Sequence, residues 1–139
     1  MLTLILVLID QAVKYYVHTY CLLGISKVII PGLFNITYLE NTGAAFSILS
    51  NNTYLIIIVS FILLFILYKY LFKHNQYKIV KSLILGGIIS NLIDRVARGY
   101  VIDYFDFNIF GYNAPVFNIA DICIVIGCII FIFKTLEEK

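Results

Sequence analysis

Charge is scarce in this 139-residue chain: 13% of its residues are charged, 62% are hydrophobic and the mean hydropathy is +0.98. A soluble domain carries ~25% charged and ~45–50% apolar residues, so the composition argues against a water-soluble protein and for one embedded in a bilayer. The length allows one membrane domain over 1–139 and little room for a separate soluble module. The three cysteines, Cys21, Cys123 and Cys128, form no CxxC pair, which argues against a disulfide framework. Cys123 and Cys128 fall in an apolar segment, where cysteine serves as a small hydrophobe. His18 and His74 are far apart without ligand-spaced neighbours, so no histidine metal site is expected. No Ala-x-Ala-like site follows the first apolar segment, which is therefore read as a mature helix and not as a cleaved signal. The net charge of +2 implies no nucleic acid or other polyanionic partner.

What the chain does have is four apolar segments near the ~20 residues that a helix needs to cross a bilayer. They run over about 2–20, 53–71, 79–96 and 119–136, and they predict a mainly α integral membrane fold of four transmembrane helices. The connection between the second and third holds Lys69, Lys73, Lys78 and Lys81 and no acid, so the positive-inside rule puts it in the cytoplasm. Both termini then lie inside, with Lys134 and Lys139 in agreement. The inner side holds six basic and two acidic groups, and the remaining four basic and six acidic groups lie toward the outer side.

Two stretches are left outside. Residues 24–48 alternate as a small sheet, with Phe34, Ile36 and Tyr38 against Asn35 and Thr37, and with turns at Pro31-Gly32 and Asn41-Thr-Gly43. Residues 99–117 are rich in Tyr and Phe, which favour the headgroup level, and are expected to form an interfacial strand or short helix over the site.

The topology brings the end of the third span and the start of the fourth to one membrane face. Asn91, Asp94, Arg95, Asp103, Asn118 and Asp121 converge there. Ionisable groups near hydrocarbon cost ~2.5–3.5 kcal/mol each at mid-bilayer, and such groups mark function by default. Each also has an ordinary explanation. Asn118-x-x-Asp121 has the form of a helix-capping arrangement. Asn91, Asp94 and Arg95 lie within one turn and would serve as a network stitching helices together. If the third helix continued, Arg95, Gly99 and Asp103 would share a face and Arg95 could hold a carboxylate. Asp10 and Lys14 form an i, i+4 pair, and Asp10 lies roughly 13 Å along its helix at ~1.5 Å per residue, deep enough to face the interior beneath the site. Gly86 and Ser90 suit close helix contact.

Four blocks in order resemble a known family: Asp10-Gln-Ala-Val-Lys14; Glu40-Asn-Thr-Gly-Ala-Ala-Phe-Ser47; Asn91-Leu-Ile-Asp94-Arg95 with Gly99-Tyr-Val-Ile-Asp103-Tyr-Phe-Asp106; and Pro115-Val-Phe-Asn118-Ile-Ala-Asp121. Together the chain resembles lipoprotein signal peptidase (signal peptidase II). The resemblance implies a multi-pass aspartic protease of the bacterial plasma membrane that cuts a prolipoprotein before a lipid-modified cysteine. It implies a catalytic dyad of Asp103 and Asp121, with Asp106 the second acid of its block. Asn41, Asn91, Arg95 and Asn118 would line the substrate site, and Asp10, Lys14 and Asp94 would give structural support. No metal or other cofactor is expected. The partners expected are the lipid-modified substrate and the bilayer, with the protein acting as a monomer.

Two other classes compete. A small four-helix transporter or assembly subunit could relay protons through Asp10, Asp94 and Asp121, yet these acids cluster at one face and form no path across. A metal-dependent phosphatidyl-group transferase would use a Gly-x-x-x-Asp context like Gly99-x-x-x-Asp103, but the Asp-Gly-x-x-Ala-Arg stretch that precedes it in that class is missing.

Overall fold

The computed structural model describes residues 1–43, 52–72 and 77–137. Ala44, Ala45, Phe46 and Ser47 of the second motif, together with Lys73, His74, Glu138 and Lys139, lie outside the described residues. Four helices occupy the four apolar segments: α1 (Leu2–Tyr20), α2 (Thr53–Phe72), α3 (Lys78–Arg98) and α4 (Ile119–Glu137). Among the described residues, Ile119–Glu137 is the one helix both long and apolar enough to cross a membrane by length and composition, and Tyr54–Lys69 is apolar over a shorter stretch. Three charges of α1 and α3, Asp10, Lys14 and Asp94, face inward and are buried. Leu4, Leu8, Ile79 and Val96, on the same two helices, face outward. Polar groups inside and apolar groups outside are the arrangement expected of a bundle bathed in hydrocarbon.

The third helix is the centre of the bundle, packed on α1 and α4 and less extensively on α2. Small residues set these approaches. A Cβ on Gly87 would meet the Ala120 carbonyl oxygen at 2.4 Å, and one on Gly127 would meet Ile84 Cγ1 at 2.6 Å. Gly86 lies against Leu6 and Thr3 of α1, the close contact expected of it. Gly87 brings the start of α4 onto α3 one turn before Asn91, which is how Asn91 comes to reach Asp121.

The four strands β1 (Ser26–Ile30), β2 (Phe34–Asn41), β3 (Val101–Ile109) and β4 (Tyr112–Asn113) form one antiparallel sheet in that order. The aromatic stretch after α3 takes the strand form of the two that were expected. It becomes the sheet's inner strand β3, paired to β2 from Phe34↔Phe107 to Asn41↔Val101. Gly99 makes this possible. It ends α3 in the left-handed conformation at φ 85°, its N–H donating to Arg95 O at 3.1 Å, and the chain leaves as strand two residues later. Arg95, Gly99 and Asp103 therefore share no helical face, which corrects that expectation. Alternation along β3 puts Asp103, Phe105 and Phe107 on one side and Ile102, Tyr104 and Asp106 on the other. Ile102 and Tyr104 join Val17 of α1 and Tyr38 in a buried core that fixes the sheet to the bundle.

Candidate active site

The site is assembled at the start of α4. A helix leaves its first N–H groups without partners, and here side chains meet each of them. Ile119 N–H donates to Tyr104 Oη at 3.1 Å, Ala120 N–H to Asp10 Oδ1 at 3.1 Å and Asp121 N–H to Asn118 Oδ1 at 2.9 Å. Asn118 N–H donates back to Asp121 Oδ2 at 3.2 Å, closing the reciprocal cap that the spacing suggested. Capping engages Asp121 without using it up. Its other oxygen, Oδ1, accepts from Asn91 Nδ2 at 2.8 Å.

Asp103 meets the same asparagine from β3. Its Oδ1 accepts from Asn118 Nδ2 at 2.6 Å, and its Oδ2 accepts from Asn41 Nδ2 of β2 at 2.9 Å. The amide orientations follow from what each amide oxygen touches. Asn118 Oδ1 takes the Asp121 N–H, and Asn41 Oδ1 takes the Gly43 N–H at 2.9 Å. Asn91 Oδ1 takes Lys14 Nζ at 2.7 Å, and an ammonium cannot accept. Each amide nitrogen is thereby turned to a carboxylate oxygen. All four oxygens of Asp103 and Asp121 receive an N–H donor, none of them from a cation.

Asp103 is 3% exposed. Burial, and next the neighbouring Asp121 carboxylate, push it from 3.8 up to about 7, against the lowering pull of the Asn41 and Asn118 donors. It borders a cleft of about 500 Å³ lined by Leu39, Glu40, Asn41 and the 114–116 segment.

A second set of acids lies alongside, with different partners. Lys14 Nζ sits 2.7 Å from Asp10 Oδ2 and 2.8 Å from Asp94 Oδ2, and Arg98 reaches Asp94 Oδ1 at 2.5 Å. Ser90 Oγ donates to Asp10 at 2.6 Å, and Gln11 Nε2 donates to Asp94 at 3.0 Å. Asp10 and Lys14 are therefore more than the local pair expected. Lys14 ties α1 to α3 and orients Asn91, while Asp10 caps α4. Arg95 forms no ion pair among the described residues. Its Nη2 donates to Gly43 O at 2.9 Å, its buried Nε has no partner among the described residues, and the charges of Asp121, Asp103 and Asp94 act on it. Gln11, Ser90 and Tyr104 had no site role in the sequence reading. Gln11 sits inside the first motif, three residues before Lys14 and so on nearly the same helix face, a signal that could have found it. Ser90 and Tyr104 meet partners about eighty or more residues away, which spacing cannot show.

Known proteins resemble this chain in sequence and fold. The family model described as Signal peptidase (SPase) II matches residues 2–137. Lipoprotein signal peptidase of Staphylococcus aureus strain MRSA252 is 39% identical over 99% of this chain and 87% of its own length, and that of strain JH9 is 38% identical with the same coverage. A bacterial membrane enzyme solved by the in meso method at 2.3 Å superposes with a TM-score of 0.91 at 38% identity, covering 99% of this chain and 86% of the other. A second, at 1.9 Å, gives 0.88 at 38% identity over 99% and 92%. The fold is that of a bacterial membrane enzyme. The chain belongs to the signal peptidase II family, a family of proteases.

Proposed function

We propose that this protein is a membrane-embedded aspartic endopeptidase that removes signal peptides from lipid-modified prolipoproteins, cutting before the lipidated cysteine. The observation that carries this reading is Asn118, whose one residue binds both Asp103 and Asp121. Two carboxyls so close cannot both ionise freely, so the pair shares a proton, as in other aspartic proteases. One member of the pair carries that proton and polarises the scissile carbonyl, and burial beside Asp121 holds Asp103 near neutrality for such sharing. The other, ionised, takes a proton from the attacking water, whose oxygen bonds to the carbonyl carbon. The proton taken up then passes to the leaving amine as the peptide bond breaks. Asn41, Asn91 and Asn118 hold the two acids, and with Arg95 they would contact the extended substrate chain in the cleft. No metal enters this scheme.

In this reading all four helices span the membrane as one domain, with both termini cytoplasmic and the site toward the outer face. Lys134 near the end of α4 stands over the Tyr77 ring at the start of α3, so the basic ends gather opposite the acidic site. The scheme takes the protein as a monomer. The test is purified protein incubated with a lipidated precursor peptide and a non-lipidated control. Cleavage confined to the lipidated peptide, and lost in Asp103→Asn and Asp121→Asn, is expected; near-normal cleavage by either variant rejects the dyad.

A further inference from the structure

The sheet's far end bears a feature that catalysis does not use. The β1–β2 turn and the β3–β4 turn are joined there, because Asn108 N–H donates to Leu33 O at 2.9 Å. Ile29, Ile30, Leu33 and Ile109 each stand about half exposed, and Phe110 is fully exposed at 106%. Phe110 also has φ 53°, a left-handed conformation that favours glycine or asparagine and strains a bulky side chain. The turn itself is held by Asn108 Oδ1, which accepts the Gly111 N–H at 2.9 Å. Nothing in that turn requires a phenylalanine. An aromatic ring that is strained and wholly outside the fold gains nothing from its own chain, so its compensation lies outside the protein.

The surroundings say what meets it. The outward side of α1 ends in Tyr16 and Tyr20, both exposed and 5.0 Å apart, the pairing of aromatics typical of the headgroup level. From there exposed Leu22, Leu23 and Ile25 lead into β1, whose five residues are all exposed. No carboxylate interrupts residues 21–33 or 108–112, and the one charge in them is the exposed Lys27. An apolar surface with a lone cation, continuous with the outward side of a membrane helix, matches the boundary between anionic headgroups and acyl chains.

We propose that the sheet tip, led by Phe110, inserts into the outer leaflet at the headgroup–acyl boundary and tethers the sheet to the bilayer beside the cleft. The anchor would hold β2 and β3, and with them Asn41 and Asp103, at the depth where a lipid-bearing substrate presents its chain. This inference rests on the reading of the helices as membrane spans, and the experiment separates the two.

The chain has no tryptophan, so a single one reports alone. Phe110→Trp and, as a control, Phe61→Trp on the outward side of α2 are placed in vesicles of phosphatidylglycerol and phosphatidylethanolamine with brominated acyl chains. The expected result is a blue-shifted emission from both, with position 110 quenched most by bromines near the carbonyl end of the chain and position 61 by deeper ones. Water-like emission at 110 quenched by aqueous iodide, with 61 quenched by lipid, overturns the anchor and leaves the spans standing. Quenching at neither position by lipid overturns both. A blue-shifted 110 reached by neither bromine nor iodide overturns the anchor in favour of a protein contact, such as a second copy of the chain.

Discussion

Two pairs of aspartates lie within one small region, Asp10, Asp94 and Asp103 buried and Asp121 partly so, and they are held in opposite ways. Asp10 and Asp94 share the ammonium of Lys14, and Asp94 also pairs with Arg98. Among the described residues, Asp103 and Asp121 receive only amide N–H donors, from Asn41, Asn91, Asn118 and the Asn118 backbone. A cation neutralises a carboxylate and keeps it ionised; an amide holds its geometry and leaves its charge uncompensated. The first pair is thus held as ion pairs, and the second, in the proposed mechanism, is left with a proton to exchange. Asn91 links them, with its oxygen on Lys14 and its nitrogen on Asp121. In a chain this apolar, what an acid is paired with says more about its work than how deeply it is buried.

The comparison can be broken most severely at the second pair. Asp103→Asn or Asp121→Asn should lower cleavage of a lipidated peptide by at least ~10²–10⁴-fold, the usual contribution of a positioned acid or base. Each variant sets one new amide nitrogen against an N–H donor, a cost of about 1–3 kcal/mol, so both should still fold and insert with a modestly lowered unfolding midpoint. At the first pair the outcome is reversed in kind. Lys14→Met leaves two buried carboxylates without their shared cation and should cost about 3–5 kcal/mol of stability. A Lys14→Met protein as stable as the parent erases the distinction between the pairs. Gly87→Ala tests the packing that brings the pairs together. Its Cβ has the Ala120 carbonyl oxygen 2.4 Å away, so α4 must shift at a cost of about 1–3 kcal/mol, moving Asp121 and lowering kcat more than binding.

The smallest effect expected is on pH. Asp103 is raised in the folded chain from 3.8 to about 7, so the folded form holds a proton that the unfolded form has released between those values. Its contribution to stability is full below 3.8 and is lost as pH rises through about 7. Cleavage that needs the shared proton should fall over the same upper limit. A kcat/KM profile flat from pH 6 to well above about 7 contradicts that assignment.

The helices were legible because each apolar run has a length and a boundary of its own, and Asp10 was legible as inward-facing because a charge deep in an apolar helix is costly toward hydrocarbon. The pairing of β2 with β3 was not legible, since it joins residues sixty or more positions apart. Gly99 carried a signal that periodicity overrode: Arg95, Gly99 and Asp103 fit a helix repeat, but a glycine after the last turn more often ends one, and here it does. The two explanations of Asp121, cap and reactive acid, stood as alternatives in the sequence. The geometry shows the cap on Oδ2 and sets Asn91 on Oδ1, so capping does not exclude the proposed reactive role.

The contrast between the two pairs is tested most directly by infrared spectroscopy, through the C=O stretch that a protonated carboxyl has and a carboxylate lacks. One such band should be present in the protein just below pH 7, disappear above it, and be absent from Asp103→Asn while surviving in Asp94→Asn. A protein without that band, or a band that follows Asp94 and ignores Asp103, would contradict the assignment of the proton to the amide-held pair.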